Sequence, residues 1–246
     1  MEYAYITDPG KIRDHNEDSV IICENYKKEI LLAVADGMGG HKAGEVASSI
    51  AISHMGKRFK DIGSVGNKED AIKWIEEVVC EINSLIYKHT LEYEESKGMG
   101  TTLVLAILTK DFLLFGNLGD SSGFVIKNKK LVKVTTDHTL VNLLVKSGEL
   151  TEEEAKNHPK KNILMKALGA DKPVEMDVID IDDEISGILL ASDGLTNMLE
   201  KEQIEKVLEE EIDIQSKLNK LIYKSNNRGG NDNISVALLT KGDKKW

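Results

Sequence analysis

Proline is scarce in this sequence, with 3 in 246 residues, and no stretch is repetitive or of low complexity. No linker and no repeat array are therefore expected, and residues 1–246 read as one domain. Cysteine is also scarce. Cys23 and Cys80 stand far apart and outside any metal-ligand spacing, which argues against a disulfide framework or a zinc ribbon. Both read as reduced, buried or half-buried thiols. Long apolar runs are missing, none approaching the roughly 18 residues that a bilayer crossing needs. The opening MEYAYITDPG has no basic segment and no apolar stretch, so no secretory signal is expected. A surplus of basic charge is missing too. Lys and Arg number 32 against 42 Asp and Glu, for a net charge of -10, which argues against a nucleic-acid surface. The expectation is a soluble, cytoplasmic monomer that binds neither nucleic acid nor membrane. An acidic chain can still hold cations, or a phosphorylated substrate through them.

Hydrophobic periodicity outlines the elements. Ser19–Cys23 and Ile30–Ala35 read as strands of a hairpin turned by ENYKKE. Val46, Ala47, Ile50, Ala51 and Met55 mark one amphipathic helix over residues 42–59. Ile72, Ile75, Val79, Ile82 and Ile86 mark a second. TTLVLAIL, DFLLFGNLG and GFVIKNKKLVKVT follow as a predicted antiparallel meander with turns at 109–110 and 128–130. Residues 139–150 read as a helix stopped at Ser147-Gly148, and Thr151-x-x-Glu154 as a capping box. ISGILLAS is a strand, residues 201–223 are largely helical, and NISVALLT is the last strand. Strands and helices are segregated, so the class is α+β with antiparallel sheets.

One stretch, DGMGGHKAG at 36–44, has two readings. It is either a glycine-rich phosphate loop or a metal site with its carboxylate at a strand end. A Walker loop would end in Gly-Lys-Ser/Thr, which is absent here. Other apolar runs also end in aspartate: Asp120-Ser121 and Asp193-Gly194, while Asp232 precedes the last strand. Any one such Asp is ordinary turn chemistry. Four of them at one sheet edge would repel each other unless a cation neutralised them. An oxygen-only donor set suits Mg²⁺ or Mn²⁺. A pair of such ions can activate a shared water for in-line displacement at phosphorus.

Seven motifs in order carry a resemblance. They are Arg13-Asp14-His15-Asn16-Glu17-Asp18, Asp36-Gly37-Met38-Gly39-Gly40-His41, Gly100-Thr101-Thr102, Gly119-Asp120-Ser121, Asp137-His138, Ser192-Asp193-Gly194 and Gly230-Asn231-Asp232-Asn233. Nearly the whole chain resembles the metal-dependent serine/threonine protein phosphatases of type 2C, the PPM family, in its single-domain bacterial form. The resemblance implies an αββα sandwich: two antiparallel β-sheets flanked by helix pairs, with a flap over about residues 141–168. It implies two core Mn²⁺ or Mg²⁺ ions and a weaker third. Asp36 would bridge the core pair, the Gly37 carbonyl would bind one ion, and Asp193 and Asp232 would complete the other. Glu17 would hold metal-bound water, and Asp120 with Asp193 would form the third site. Arg13 would clamp the phosphate, its planar fork suiting bidentate recognition; by itself it would read as half of a surface salt bridge. Phosphoserine and phosphothreonine proteins would be hydrolysed by attack of water or hydroxide bridging the two ions, opposing a bacterial Ser/Thr kinase and acting on its substrates.

The chain departs from the family at several positions. Met38 stands where eukaryotic relatives carry a histidine assigned as general acid. His41, three residues on, is the candidate acid here, with a structural role at the helix start as its alternative. Ser122 replaces a frequent arginine. His158-Pro159-Lys160-Lys161-Asn162 replaces His-Pro-x-Arg-Asn, its lysines reading as a solvated turn. Asp137-His138 reads as a turn organiser. The competing class is a pseudophosphatase scaffold, which the retained aspartates disfavour.

Overall fold

The computed structural model describes residues 1–40, 43–182 and 184–241. The chain begins with strands β1 (Glu2–Asp8), β2 (Asp18–Glu24) and β3 (Ile30–Met38), then two long helices, α1 (Ala43–Asp61) and α2 (Lys68–Glu92). Strands β4 (Gly100–Thr101), β5 (Leu103–Leu108), β6 (Leu113–Leu118), β7 (Ser122–Lys127) and β8 (Lys130–Lys133) follow. Short helices α3 (Leu140–Ser147) and α4 (Glu152–Lys156) lead to β9 (Asp177–Ile181) and β10 (Gly187–Ala191). The described chain closes with α5 (Asp193–Thr196), α6 (Lys201–Leu208), α7 (Ile214–Asn227) and β11 (Ile234–Thr240).

Two antiparallel sheets result, in the orders β1-β11-β10-β7-β8 and β2-β3-β5-β6-β9, with β4 added against β3. Three apolar layers show why. Leu32 and Val34 of β3 meet Ile188 and Leu190 of β10 between the sheets. Leu31, Ala33 and Ala35, on the opposite face of β3, pack under Met55, Phe59, Ile75 and Ile82 of α1 and α2. Leu189 and Leu238, on the outer face of the other sheet, pack against Val207, Leu218 and Leu221 of α6 and α7. Both faces of the central strands are covered. They are therefore apolar at successive positions, ILLAVA being entirely buried, where a half-solvated strand would alternate. This is the αββα sandwich expected from the sequence. No helix among the described residues is long and apolar enough to cross a membrane.

Several expectations change in detail. The predicted meander is two hairpins in different sheets: β5–β6 lie in one, β7–β8 in the other, and the chain crosses between them at Gly119–Ser121. Gly119, at φ +115°, makes that crossing, a backbone state that L side chains rarely adopt. The β7–β8 turn runs through Asn128 and Lys129, both at positive φ, as a two-residue hairpin requires. The helical stretch over 201–223 is interrupted after Leu208, because Asp213 starts a new helix by accepting a bond from the Ser216 N–H (2.9 Å). Strands β1 and β9 had no separate signal in the sequence. Cys80 is exposed, unlike buried Cys23, and both thiols are free. Thr139 caps α3, Gly148 ends it in the left-handed conformation, and the Thr151–Glu154 capping box forms on α4.

Candidate metal centre

Strand ends at one edge of the sandwich build a cleft of about 450 Å³. Glu17 reaches it from just before β2, Asp36 and Gly37 from the end of β3, and Asp120 from the crossing after β6. Asp193 comes from the start of α5, Asp232 from just before β11, and Arg13 from the loop after β1. Every site residue anticipated from the sequence lines this one space except His41, which lies outside the described residues.

Backbone anchors hold the carboxylates in place. The Asp36 N–H donates to Thr102 Oγ1 (3.0 Å), and its carbonyl accepts from the Thr102 N–H and the Thr101 hydroxyl (both 2.9 Å). Thr102 Oγ1 also meets Ser121 Oγ at 2.8 Å. The Gly-Thr-Thr motif thus ties Asp36 to the turn carrying Asp120. Asn233 stitches distant segments together: its amide donates to the carbonyls of Pro9 and His15 (both 2.9 Å), and its Oδ1 accepts from the Glu17 N–H (2.8 Å). His138 performs a similar service for Gly119. Its Nδ1 accepts from the Gly119 N–H (3.1 Å), which leaves Nε2 to donate to Asp177 of β9 (3.0 Å). Gly37 and Gly44 pack where no side chain fits. A Cβ at Gly37 would run into the carbonyl oxygens of Gly44 and Glu17, and one at Gly44 into the Glu17 carboxyl. These glycines let α1 close down on the end of β3.

The electrostatics are those of acids crowded in low dielectric. Burial, then repulsion from Asp18, Asp193, Asp120 and Asp232, raises Asp36 well above the usual carboxylate range. Burial and Asp193 push Asp120 to about 7, while burial and Asp232 push Asp193 to about 6. Glu17 is raised by burial, against the opposing charge of Arg13. Asp18 opposes Asp36 across the β2–β3 pair and is almost fully buried. Burial raises it to about 7, although the Ser192 hydroxyl donates to its Oδ2 at 2.7 Å.

Among the described residues, no three His, Cys, Asp or Glu side chains form a ready-made clasp for an ion. The cleft nevertheless fits a hard divalent cation in two respects. Its carboxylates offer hard oxygen donors, and Asp193 Oδ1 is buried without a hydrogen-bond partner among the described residues. A cation in the cleft would offset the repulsion that, after burial, raises Asp36, Asp120 and Asp193.

Arg13 donates to Asp232 Oδ2 (2.8 Å) and, through Nε, to the Asn231 carbonyl (3.4 Å). The salt-bridge reading and a position at the cleft both hold for it. Met38 lines the cleft. Ser122 is buried in β7 with its hydroxyl unpartnered among the described residues. Lys160 and Lys161 are exposed, and Asn162 and Leu164 of the same segment line the cleft instead. The residues that sequence reasoning missed are Asp18, Asn233, Thr102 and the bridging role of His138. The signal was present, since each belongs to a motif quoted above, but their long-range partners are not legible in a linear chain.

Comparisons with known proteins bear on the family and the fold. Residues 12–229 match the family model described as protein phosphatase 2C. The chain is 39% identical to the serine/threonine phosphatase stp of Listeria innocua, over 98% of this chain and 96% of that protein. It is 35% identical to the protein phosphatase PhpP of Streptococcus pneumoniae, over 99% and 98% respectively. Among solved structures, the serine/threonine phosphatase Stp1 of Staphylococcus aureus superposes with a TM-score of 0.91 at 36% identity, covering 97% of this chain and 94% of that one. The PstP/Ppp phosphatase of Mycobacterium tuberculosis gives 0.86 at 33%, covering 96% and 97%. Family model, full-length relatives and fold agree, and the chain belongs to the protein phosphatase 2C family of serine/threonine phosphatases.

Proposed function

We propose that this phosphatase uses two divalent ions, Mn²⁺ or Mg²⁺, with a weaker third, to hydrolyse phosphoserine and phosphothreonine in proteins. The supporting observation is that Arg13, Glu17, Asp36, Gly37, Asp120, Asp193 and Asp232 share one cleft. Asp36 would stand between the core ions, with the Gly37 carbonyl on one side and Asp193 and Asp232 on the other. Asp120 with Asp193 would hold the third ion, and Glu17 would orient water beside the pair. When bound, such ions supply a water of lowered pKa and neutralise the phosphate's charge. Arg13 then exchanges part of its bond to Asp232 for phosphate oxygens, which its fork can grip in two places. Thr101, Thr102 and Asn233 keep the carboxylates in place during the reaction. His41 is the residue that the sequence offers to protonate the departing serine or threonine oxygen. In the cell the chain would work as a cytoplasmic monomer, opposing a Ser/Thr kinase on that kinase's substrates.

Hydrolysis of p-nitrophenyl phosphate tests the reading. Turnover is expected with Mn²⁺, not with EDTA, and Asp193→Ala should lower it by about 10²-fold or more. Robust turnover in EDTA would overturn the mechanism.

A further inference from the structure

A second cavity, of about 760 Å³, adjoins the carboxylate cleft. It lies between the start of α1, the end of α2 and the loop after β1. Two near contacts link it to the cleft. His15, on the rim of the cavity, stands two residues from Glu17 in the cleft, and Asn233 bonds the backbone of both. Gly39, in the cleft, lies against Ala43 in the cavity, where a Cβ on the glycine would stand 3.0 Å from the alanine Cβ. A peptide chain with its phosphate at Arg13 therefore has the cavity within reach of its neighbouring residues.

The cavity has three kinds of wall. Ala43 and Val46 are apolar. His89 and Tyr93 present a pair of rings, with centroids 4.5 Å apart and planes at 31°. Glu95 is the one Asp, Glu, Lys or Arg among the described lining residues, and its side chain is exposed. Nδ1 of His89 is buried without a hydrogen-bond partner among the described residues. Apolar wall, ring face and carboxylate match the aliphatic stem, the cation–π contact and the ion pair of a long basic side chain. An acidic side chain would meet Glu95 and find no Lys or Arg among these residues.

We propose that this cavity takes a lysine or arginine side chain of the phosphoprotein substrate, close to its phosphorylated residue. The proposal rests on the phosphatase reading of the adjoining cleft. The test walks a single arginine through the positions flanking phosphothreonine in an otherwise alanine peptide. Phosphate release is measured with Mn²⁺, and p-nitrophenyl phosphate is run alongside. One position of arginine should raise kcat/KM about fivefold. Glu95→Gln and Tyr93→Leu should each reduce that gain, and Glu95→Lys should abolish it, all three leaving p-nitrophenyl phosphate turnover unchanged. Both side chains are largely exposed, so the variants are expected to fold. Turnover of p-nitrophenyl phosphate with no arginine preference, or a preference that survives all three substitutions, overturns this proposal alone. No turnover of p-nitrophenyl phosphate by the unaltered protein overturns the phosphatase reading, and this one with it.

Discussion

Removing divalent ions and raising the pH forces charge into a cleft that resists it, and the loss of stability can be worked out. Asp18 titrates at about 7 in the fold, against 3.8 for an ordinary aspartate. That difference of roughly three units amounts to about 4 kcal/mol over the whole titration. The folded chain keeps a proton that the unfolded chain releases near pH 4. The stability it confers is full below that pH and is lost as pH rises through about 7. Between about pH 5 and pH 8 the linkage relation puts this loss at about 2–3 kcal/mol. Asp120, at about 7, and Asp193, at about 6, act in the same direction. The contributions overlap, because protonating one carboxyl relieves its neighbours. The expected total is about 3–6 kcal/mol. Carboxylates shifted downward, such as Glu24 and Glu205, do not blur the result. Their stabilisation is complete above the unfolded value near 4.5 and is lost only as pH falls through the folded one. Urea unfolding of chelator-treated protein across this range measures the effect, and saturating Mn²⁺ should flatten it by taking the place of the protons. Asp18→Asn should remove the share due to Asp18. Metal-free stability that stays level or rises between about pH 5 and pH 8 would refute the picture of mutually repelling buried carboxylates.

Two further substitutions probe the scaffold of the site. Thr102→Val keeps the side-chain shape but strands the Asp36 N–H and the Ser121 hydroxyl in a buried setting. It should lower unfolding free energy by about 1–3 kcal/mol and weaken Mn²⁺ binding, as read by urea melts and calorimetric titration. Gly44→Ala places a methyl against the Glu17 carboxyl and the Gly37 carbonyl, whereas a Cβ on Gly40 meets nothing within 4 Å among the described residues. Calorimetry should show weaker Mn²⁺ binding for Gly44→Ala and little change for Gly40→Ala; equal effects would mean that the close approach of α1 to β3 is unimportant.

Local chemistry made much of this protein legible from its sequence. The Gly148 stop and the Thr151–Glu154 box involve residues a few positions apart, and both form as read. The apolar runs of β3, β5 and β10 announced strands, and the motif order announced the family. The sequence alone also supplied the list of acids that line the cleft. Only the tertiary structure decided which sheet each strand joins. Gly119 sends β7 away from β6, and β1 finds its place only against β11, more than 200 residues later. Tertiary structure likewise decided that Arg13 pairs with Asp232, that Asn233 holds Glu17, and that Asp18 is buried opposite Asp36. The physical reason is range. Caps, turns and periodicity are set by neighbours along the chain, whereas burial, repulsion and pKa depend on groups brought together only when both sheets close.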